Sequence, residues 1–247
     1  MTILNILNKL SANVIVTENM SFQNVAKSLF SLGFCGLEVC YDSILAFCNN
    51  GNSVETARHI LEDYNIHPVS LHSANEKFYT FRSESPLILE SMKILCDMAV
   101  LLNAECICIK FIENESRSLS IENFSKLCEI ADKFRIKVAV ECTDLNSLSN
   151  IFYIVKDTNC YNGGLLLNIG NFSFSQLRSI ELKEIPKNKI FITRVDGVFE
   201  IMSNDVFNKT KFISDSYFDI RKISLELLEK TAETIHNGYT SVQMVIK

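Results

Sequence analysis

Glycine, proline and tryptophan are scarce in this sequence, whose 247 residues include 8 Gly, 3 Pro and no Trp. So little glycine and proline excludes a collagen-like or low-complexity chain. Hydrophobic residues make up 47% of the sequence and charged residues 21%, so enough apolar side chain is present to build a core and a disordered chain is also excluded. We expect residues 1–247 to form a single domain.

The sequence also lacks the features of nucleic-acid-binding, membrane and secreted proteins. Its 24 basic and 29 acidic residues give a formal charge of −5, which argues against a nucleic-acid partner. No apolar run approaches the roughly 18 residues of a membrane span, and the N-terminus does not resemble a signal peptide. The sequence has nine cysteines, and this odd number indicates reduced thiols rather than a set of disulfides. We therefore predict a cytoplasmic protein with no membrane partner.

Short runs rich in β-branched residues alternate with amphipathic helical periods along the chain. The predicted strands are Asn13–Thr17, Gly36–Tyr41, His67–His72, Glu105–Phe111, Ile136–Cys142, Gly163–Ile169, Lys189–Val195 and Thr240–Ile246. Eight strands that alternate with helices in about 250 residues predict a (β/α)₈ TIM barrel rather than an open sheet.

The eighth predicted strand nearly reaches Lys247, which leaves no room for a final C-terminal helix. Ile3, Ile6, Leu7 and Leu10 have helical spacing. We predict that this N-terminal segment covers the eighth strand in place of the missing helix. A frayed terminus or a plug at the bottom of the barrel are the alternatives.

Polar residues occur at the ends of seven consecutive predicted strands. In a TIM barrel the active site lies at these carboxyl ends, and side chains alternate between the interior and the helix layer. Because the outer face must be apolar, the polar face is predicted to be the interior, and it carries Glu38, His72, Lys110, Glu141, Asn168, Thr193 and Gln243. Their convergence indicates a ligand site, since buried polar groups are costly without partners. A register slip of one residue would reverse the faces of a strand.

Several short motifs resemble the xylose isomerase-like TIM barrels, a superfamily of sugar phosphate isomerases, epimerases and related enzymes. They are Gly33–Glu38, Val138–Glu141, Leu165–Asn171, Asn188–Asp196 and Asn237–Gln243, and the similarity covers nearly the whole chain after residue 13. Within the superfamily, Gly33–Phe47 and the strand that begins Lys189-Ile-Phe look most like bacterial 3-dehydroshikimate dehydratases.

The resemblance implies a divalent metal site, although the family's ligands are largely replaced in this sequence. Glu141 matches the family's strand-five Glu, whereas Asn168 replaces an Asp, Asn171 a His, Thr193 a His or Gln, and Gln243 a Glu. Hard divalent cations prefer several anionic oxygens. We therefore expect no tightly bound cofactor, although related proteins hold Mn²⁺, Mg²⁺, Co²⁺ or Zn²⁺. Any bound metal would use Glu141 with Asn168, Thr193 and Gln243.

The resemblance also implies an isomerase or a lyase that abstracts a proton next to the carbonyl of a small hydroxy-carbonyl compound. Glu141 is the predicted base, His72 a second acid/base or substrate contact, and Lys110 a source of positive charge. The predicted substrate-binding residues are Glu38, Asn168, Asn171, Thr193 and Gln243. A structural salt bridge to Glu38 or Glu141 is the alternative role for Lys110.

The replaced metal ligands leave a second hypothesis open, a non-catalytic member of the family that binds a small polar ligand or a protein partner. The charged residues at the strand ends favour an enzyme, which we therefore place ahead of this alternative, although the fold alone does not distinguish the two. A homodimer is retained as a further partner option. An endonuclease IV-type repair enzyme is disfavoured, because it needs several metal ions and a basic face.

Overall fold

The computed structural model describes residues 10–16, 20–73, 86–110, 116–142, 145–168, 185–201, 210–212 and 239–246. Its strands are β1 (Leu10–Val16), β2 (Gly36–Cys40), β3 (His67–His72), β4 (Cys106–Lys110), β5 (Lys137–Cys142), β6 (Gly163–Asn168), β7 (Ile190–Ile201), β8 (Thr210–Phe212) and β9 (Tyr239–Ile246). Its helices are α1 (Phe22–Ser31), α2 (Tyr41–Asn49), α3 (Val54–Asp63), α4 (Pro86–Leu102), α5 (Arg117–Lys133) and α6 (Leu145–Thr158).

Eight parallel strands close into a barrel surrounded by helices. Neighbouring strands from β1 to β7 pair in chain order, and β9 pairs with both β7 and β1 to close the sheet. The short strand β8 lies outside this ring and pairs antiparallel with the end of β7. The predicted (β/α)₈ TIM barrel is therefore confirmed.

Strand β1 begins earlier in the sequence than predicted. It starts at Leu10 rather than Asn13, and Leu10 is buried and pairs with Thr240 of β9. The prediction that Leu10 belongs to an N-terminal helix is therefore wrong, because its backbone completes the closure of the barrel. The remaining residues of that predicted helix lie outside the described residues.

The hydrophobic core has two layers, one on each side of the sheet. The outer layer packs helix side chains such as Leu29, Leu95 and Phe124 against the outer faces of the strands. The inner layer fills the barrel with Val69, Cys106, Cys108, Ala139, Leu166 and Ile192. This inner layer is the floor beneath the carboxyl ends of the strands.

Serine side chains cap the N-termini of three helices. Ser21, Ser53 and Ser116 accept hydrogen bonds from backbone N–H groups in the first turns of α1, α3 and α5, and so satisfy donors that lack helical partners.

All nine cysteines carry free thiols. Within the described ranges, no helix has the length and apolar character needed to cross a membrane.

Two register irregularities decide which side chains enter the barrel. In the pairing of β2 with β3, the consecutive residues Leu37 and Glu38 pair with Pro68 and Ser70, so Val69 is an extra residue in β3. Between β6 and β7, the paired positions pass from Ile190 to Ile192, which leaves Phe191 as an extra residue. Such a bulge reverses the inside–outside alternation of the residues that follow it.

We predict that Gly164→Ala destabilises the barrel, because the bulge at Phe191 places its ring over this glycine. A Cβ atom at position 164 would lie 2.6 Å from the Phe191 ring and 2.7 Å from the backbone oxygen of Lys189. Overpacking of this kind typically costs about 1–3 kcal/mol, to be measured by urea unfolding. The control is Asn150→Ala on the exposed surface of α6. A Gly164→Ala variant as stable as this control would mean that the bulge is misplaced.

Candidate functional site

Arg194 of β7 lies at the centre of the barrel mouth and contacts two carboxylates. Its Nε and Nη2 atoms donate to Oε1 and Oε2 of Glu38 at 3.2 Å and 2.7 Å, which forms a bidentate ion pair. Its Nη1 atom donates to Oε1 of Glu141 at 2.7 Å. The three side chains are 7%, 0% and 9% exposed respectively. Charge-assisted bonds in so dry an environment are strong and directional.

Neighbouring strands hold this ion-pair cluster in place. With its amide oxygen turned toward the guanidinium, Asn13 of β1 accepts from Arg194 Nη2 at 2.9 Å and from Nε at 3.2 Å. Ser70 of β3 donates its hydroxyl to Oε2 of Glu38 at 3.5 Å. Glu38 is therefore oriented by side chains from two strands, β3 and β7, while Asn13 holds the guanidinium from β1.

The charges of the cluster stabilise one another. Burial alone would raise the pKa of Glu38, but the charge and hydrogen bonds of Arg194 outweigh it and hold that pKa below its usual value. Burial opposes the charge of Arg194 as well, yet the two carboxylates raise its pKa further above its ordinary range. Glu38 and Arg194 are therefore both charged at neutral pH.

Several polar atoms beside the cluster have no hydrogen-bond partner among the described residues, and two of these lie at the carboxyl ends of strands. These two are Nδ1 of His72, at the end of β3, and Oδ1 of Asn168, at the end of β6, and the Asn168 residue is 4% exposed. Burial lowers the pKa of His72 to about 4, so its imidazole is neutral at physiological pH. Buried polar atoms without partners are costly, and these two are available to a ligand.

Lys110 lies at the rim of the mouth. It is paired in register with Glu141 on the neighbouring strand, as the sequence predicts, but it is exposed. Its charge is among the causes that lower the pKa of His72. The ion pairs that the structure describes for Glu38 and Glu141 are made with Arg194.

The predicted inward position of Thr193 is wrong. The bulge at Phe191 shifts the alternation of β7 by one residue, so Arg194 enters the mouth and Thr193 takes the opposite face. Thr193 is fully buried there. The prediction missed Arg194 and Asn13. Charge balance could have identified Arg194 from the sequence. Two carboxylates predicted in one barrel interior require a cation, and Arg194 is the residue that follows Thr193.

Most other predicted inward residues lie where expected. Glu38 and Glu141 meet at Arg194, and Asn168 pairs in register with Arg194 across β6 and β7. Asn171 lies outside the described residues. Gln243 is described only by its backbone, which pairs with Asn13.

The residues of this mouth do not fit the divalent ion that the family resemblance implies. Glu141, the one retained carboxylate ligand, is bound by a guanidinium cation at 2.7 Å, and its neighbour Asn168 is neutral. Among the described side chains, no three of the types His, Cys, Asp and Glu are grouped to hold a metal. A metal ion would have to displace the Arg194 guanidinium or bind in contact with it. Electrostatic repulsion between the two cations opposes the second arrangement.

A second polar cluster lies at the opposite end of the barrel, around Glu105. Its carboxylate contacts His67 Nε2 at 3.0 Å, the Tyr239 hydroxyl at 3.1 Å and Lys137 Nζ at 3.4 Å. The hydrogen bond with His67 is the largest cause that lowers the pKa of Glu105 to about 2. The cluster borders a cavity of about 450 Å³. Its polar groups bind one another, so we assign it to the stability of the fold.

Solved structures with the same fold include a protein with a bound zinc atom and an epimerase with a bound sugar. The IolI protein, solved with a bound zinc atom, is 17% identical with a TM-score of 0.66, over 95% of this chain and 88% of that chain. D-psicose 3-epimerase of Clostridium cellulolyticum H10, solved with D-tagatose, is 14% identical with a TM-score of 0.66, over 96% and 84%. The probable 3-DHS dehydratase AsbF of Bacillus anthracis is 12% identical with a TM-score of 0.66, over 94% and 92%.

These similarities show that the chain shares the TIM-barrel fold of these proteins. No protein-family model and no curated protein matches the sequence, so the similarity is one of fold.

We predict that His72 makes the stability of the protein fall as the pH drops from about 6.5 to about 4. An unfolded histidine binds a proton near pH 6.5, whereas folded His72 does so only near pH 4. Between these values the unfolded state binds more protons, so acid favours unfolding; above them both states are neutral. The measurement is urea unfolding of the protein and of His72→Gln at about pH 7.5 and about pH 5.

The His72→Gln variant should lose less stability on acidification than the unmodified protein. His59→Gln is the matched control, because His59 lies exposed on α3. This control should keep the full pH dependence. An unchanged pH dependence in His72→Gln would contradict a neutral, buried His72.

Proposed function

We propose that the barrel mouth binds a small, uncharged hydroxy-carbonyl compound, such as a ketose, and transfers a proton at the carbon next to its carbonyl. One observation carries this proposal: the Glu141 carboxylate and the Arg194 guanidinium are in contact beside the unpaired acceptor atoms of His72 and Asn168. A base, a fixed positive charge and hydroxyl-binding groups are thereby placed together.

The unpaired atoms favour a ligand that donates hydrogen bonds. Oδ1 of Asn168 is an acceptor, and Nδ1 of a neutral His72 can also accept. Hydroxyl groups supply such donors, whereas ionised carboxylates and phosphates do not. Among the described residues of the mouth, the two cations Arg194 and Lys110 are balanced by Glu38 and Glu141, which leaves no excess positive charge there for an anionic ligand.

The proposed reaction begins with Glu141 as the base. One Glu141 oxygen takes the proton from the carbon next to the carbonyl, and the electron pair of that C–H bond forms a carbon–carbon double bond as the carbonyl oxygen becomes negative. Arg194 Nη1 carries two hydrogens and contacts one acceptor among the described residues, Glu141, so its second N–H remains for this oxygen. Delivery of a proton to the opposite face of the same carbon completes an epimerisation. Delivery of the proton to the former carbonyl carbon, with transfer of the neighbouring hydroxyl proton to the enolate oxygen, completes an isomerisation, and loss of a hydroxyl from the next carbon together with this proton as water completes a dehydration.

The structural neighbours support this class of reaction without specifying the substrate. One is an epimerase solved with a ketose and another is a probable dehydratase. Because this fold hosts many activities, the residues of the mouth are stronger support for the reaction than the fold is.

Binding without turnover is the second candidate function. The observation that favours it is that Glu141 Oε1 is already occupied by Arg194, which leaves fewer lone pairs to accept a proton. The same mouth would then act as a binding site for a polyhydroxy compound, with Glu141 in a structural role.

We predict that the protein, in buffer with a metal chelator, catalyses deuterium incorporation from D₂O next to the carbonyl of a ketose. The panel comprises D-psicose, D-tagatose and D-fructose, with exchange followed by proton NMR. Glu141→Gln keeps the size of the side chain and removes the base, so exchange should slow by about 10²–10⁴-fold. Lys110→Met retains the aliphatic part of the side chain and removes its ammonium group. Slower exchange in this variant would show that the positive charge at the rim assists the reaction.

Glu105→Gln is the control variant, because it makes the same change at the opposite end of the barrel and should keep the exchange rate. Equal exchange in the unmodified protein and in Glu141→Gln would contradict Glu141 as the base. Saturable ketose binding without exchange would favour the second candidate, and the absence of both would contradict the proposed ligand class.

A further inference from the structure

We infer that Arg194 is the resident cation of the barrel mouth, and that it excludes divalent metal ions from a latent site formed by Glu38 and Glu141. The inference concerns which cation occupies the mouth, and it holds whether or not the protein catalyses proton transfer.

Two carboxylates converge on one guanidinium. Glu38 Oε2 and Glu141 Oε1 each lie 2.7 Å from a terminal nitrogen of Arg194, on strands β2 and β5 that are not neighbours in the sheet. Carboxylates this close and this dry repel each other strongly unless a cation lies between them. The charge of Arg194 is therefore required by the positions of Glu38 and Glu141.

The groups around the guanidinium are of the types that bind Mn²⁺. Carboxylate and amide oxygens suit hard divalent cations. Asn168 Oδ1 is unpaired among the described residues, and Asn168 is paired in register with Arg194. With Arg194 removed, the mouth would offer the carboxylates of Glu38 and Glu141 and the amide oxygen of Asn168.

With Arg194 present, the same mouth opposes a divalent ion for two reasons. The guanidinium occupies both oxygens of Glu38 and one oxygen of Glu141. It also adds a positive charge that is only 7% exposed and therefore poorly screened by solvent. A divalent ion would need to displace a bidentate, hydrogen-bonded arginine, which is a strong competitor for carboxylates.

The test measures Mn²⁺ binding by calorimetry and by the thermal midpoint in three proteins. The unmodified protein should show no specific Mn²⁺ binding. Arg194→Gln removes the cation and leaves both carboxylates, so its Mn²⁺ affinity should exceed that of the unmodified protein by about tenfold or more, with a matching rise in the midpoint. Arg194→Gln combined with Glu38→Gln lacks the same cation but keeps only one carboxylate, and it should not bind Mn²⁺.

Arg194→Gln leaves Glu38 buried without its partner and can fail to fold. Refolding with and without Mn²⁺, followed by circular dichroism, covers this case: recovery of the folded signal only with Mn²⁺ supports the inference. Failure to fold in both conditions, while the double variant folds, overturns it, because no ion then replaces the guanidinium. Mn²⁺ binding to the unmodified protein that is lost in Glu141→Gln also overturns it, as does a folded Arg194→Gln that does not bind Mn²⁺.

Discussion

A guanidinium buried between two carboxylates is the interaction on which the interior of this barrel depends. Arg194 joins β7 to Glu38 of β2 and to Glu141 of β5, and so links opposite sides of the sheet across the mouth. Neither carboxylate is tolerable at its position without a cation, and removal of one partner from such a buried pair typically costs about 3–5 kcal/mol. Asn13 turns its amide oxygen toward the guanidinium, and Asn168 lies in register with Arg194 on the neighbouring strand.

The sequence predicted the barrel well because its architecture depends on average properties. Alternating β-branched runs and amphipathic periods specify eight strands and their helices, and His67–His72 matches its observed strand without change. Strand ends depend on hydrogen bonds with neighbours that a single pattern does not contain. Leu10 therefore has helical spacing in the sequence and a strand conformation in the fold, where it pairs with Thr240.

The candidate site was predicted only in part. The prediction placed Thr193 instead of Arg194 in the mouth, and the cause is one backbone irregularity, the bulge in β7. Glu38 and Glu141 were placed by simple alternation, which holds along β2 and β5. Alternation fails in β7, where the extra residue Phe191 packs over Gly164 and turns Arg194 inward in place of Thr193. Without a side chain at position 164, the large ring of Phe191 can be accommodated, so the two residues together indicate the bulge. The need for a counter-ion to two buried carboxylates would have identified Arg194 independently.

The most direct test of this account is a crystal structure of the unmodified protein grown with Mn²⁺ and examined by anomalous scattering at the manganese absorption edge. The account predicts that the Arg194 guanidinium bridges Glu38 and Glu141, with no anomalous peak in the barrel mouth. A manganese ion bound to Glu141, with Arg194 turned away from both carboxylates, would contradict it.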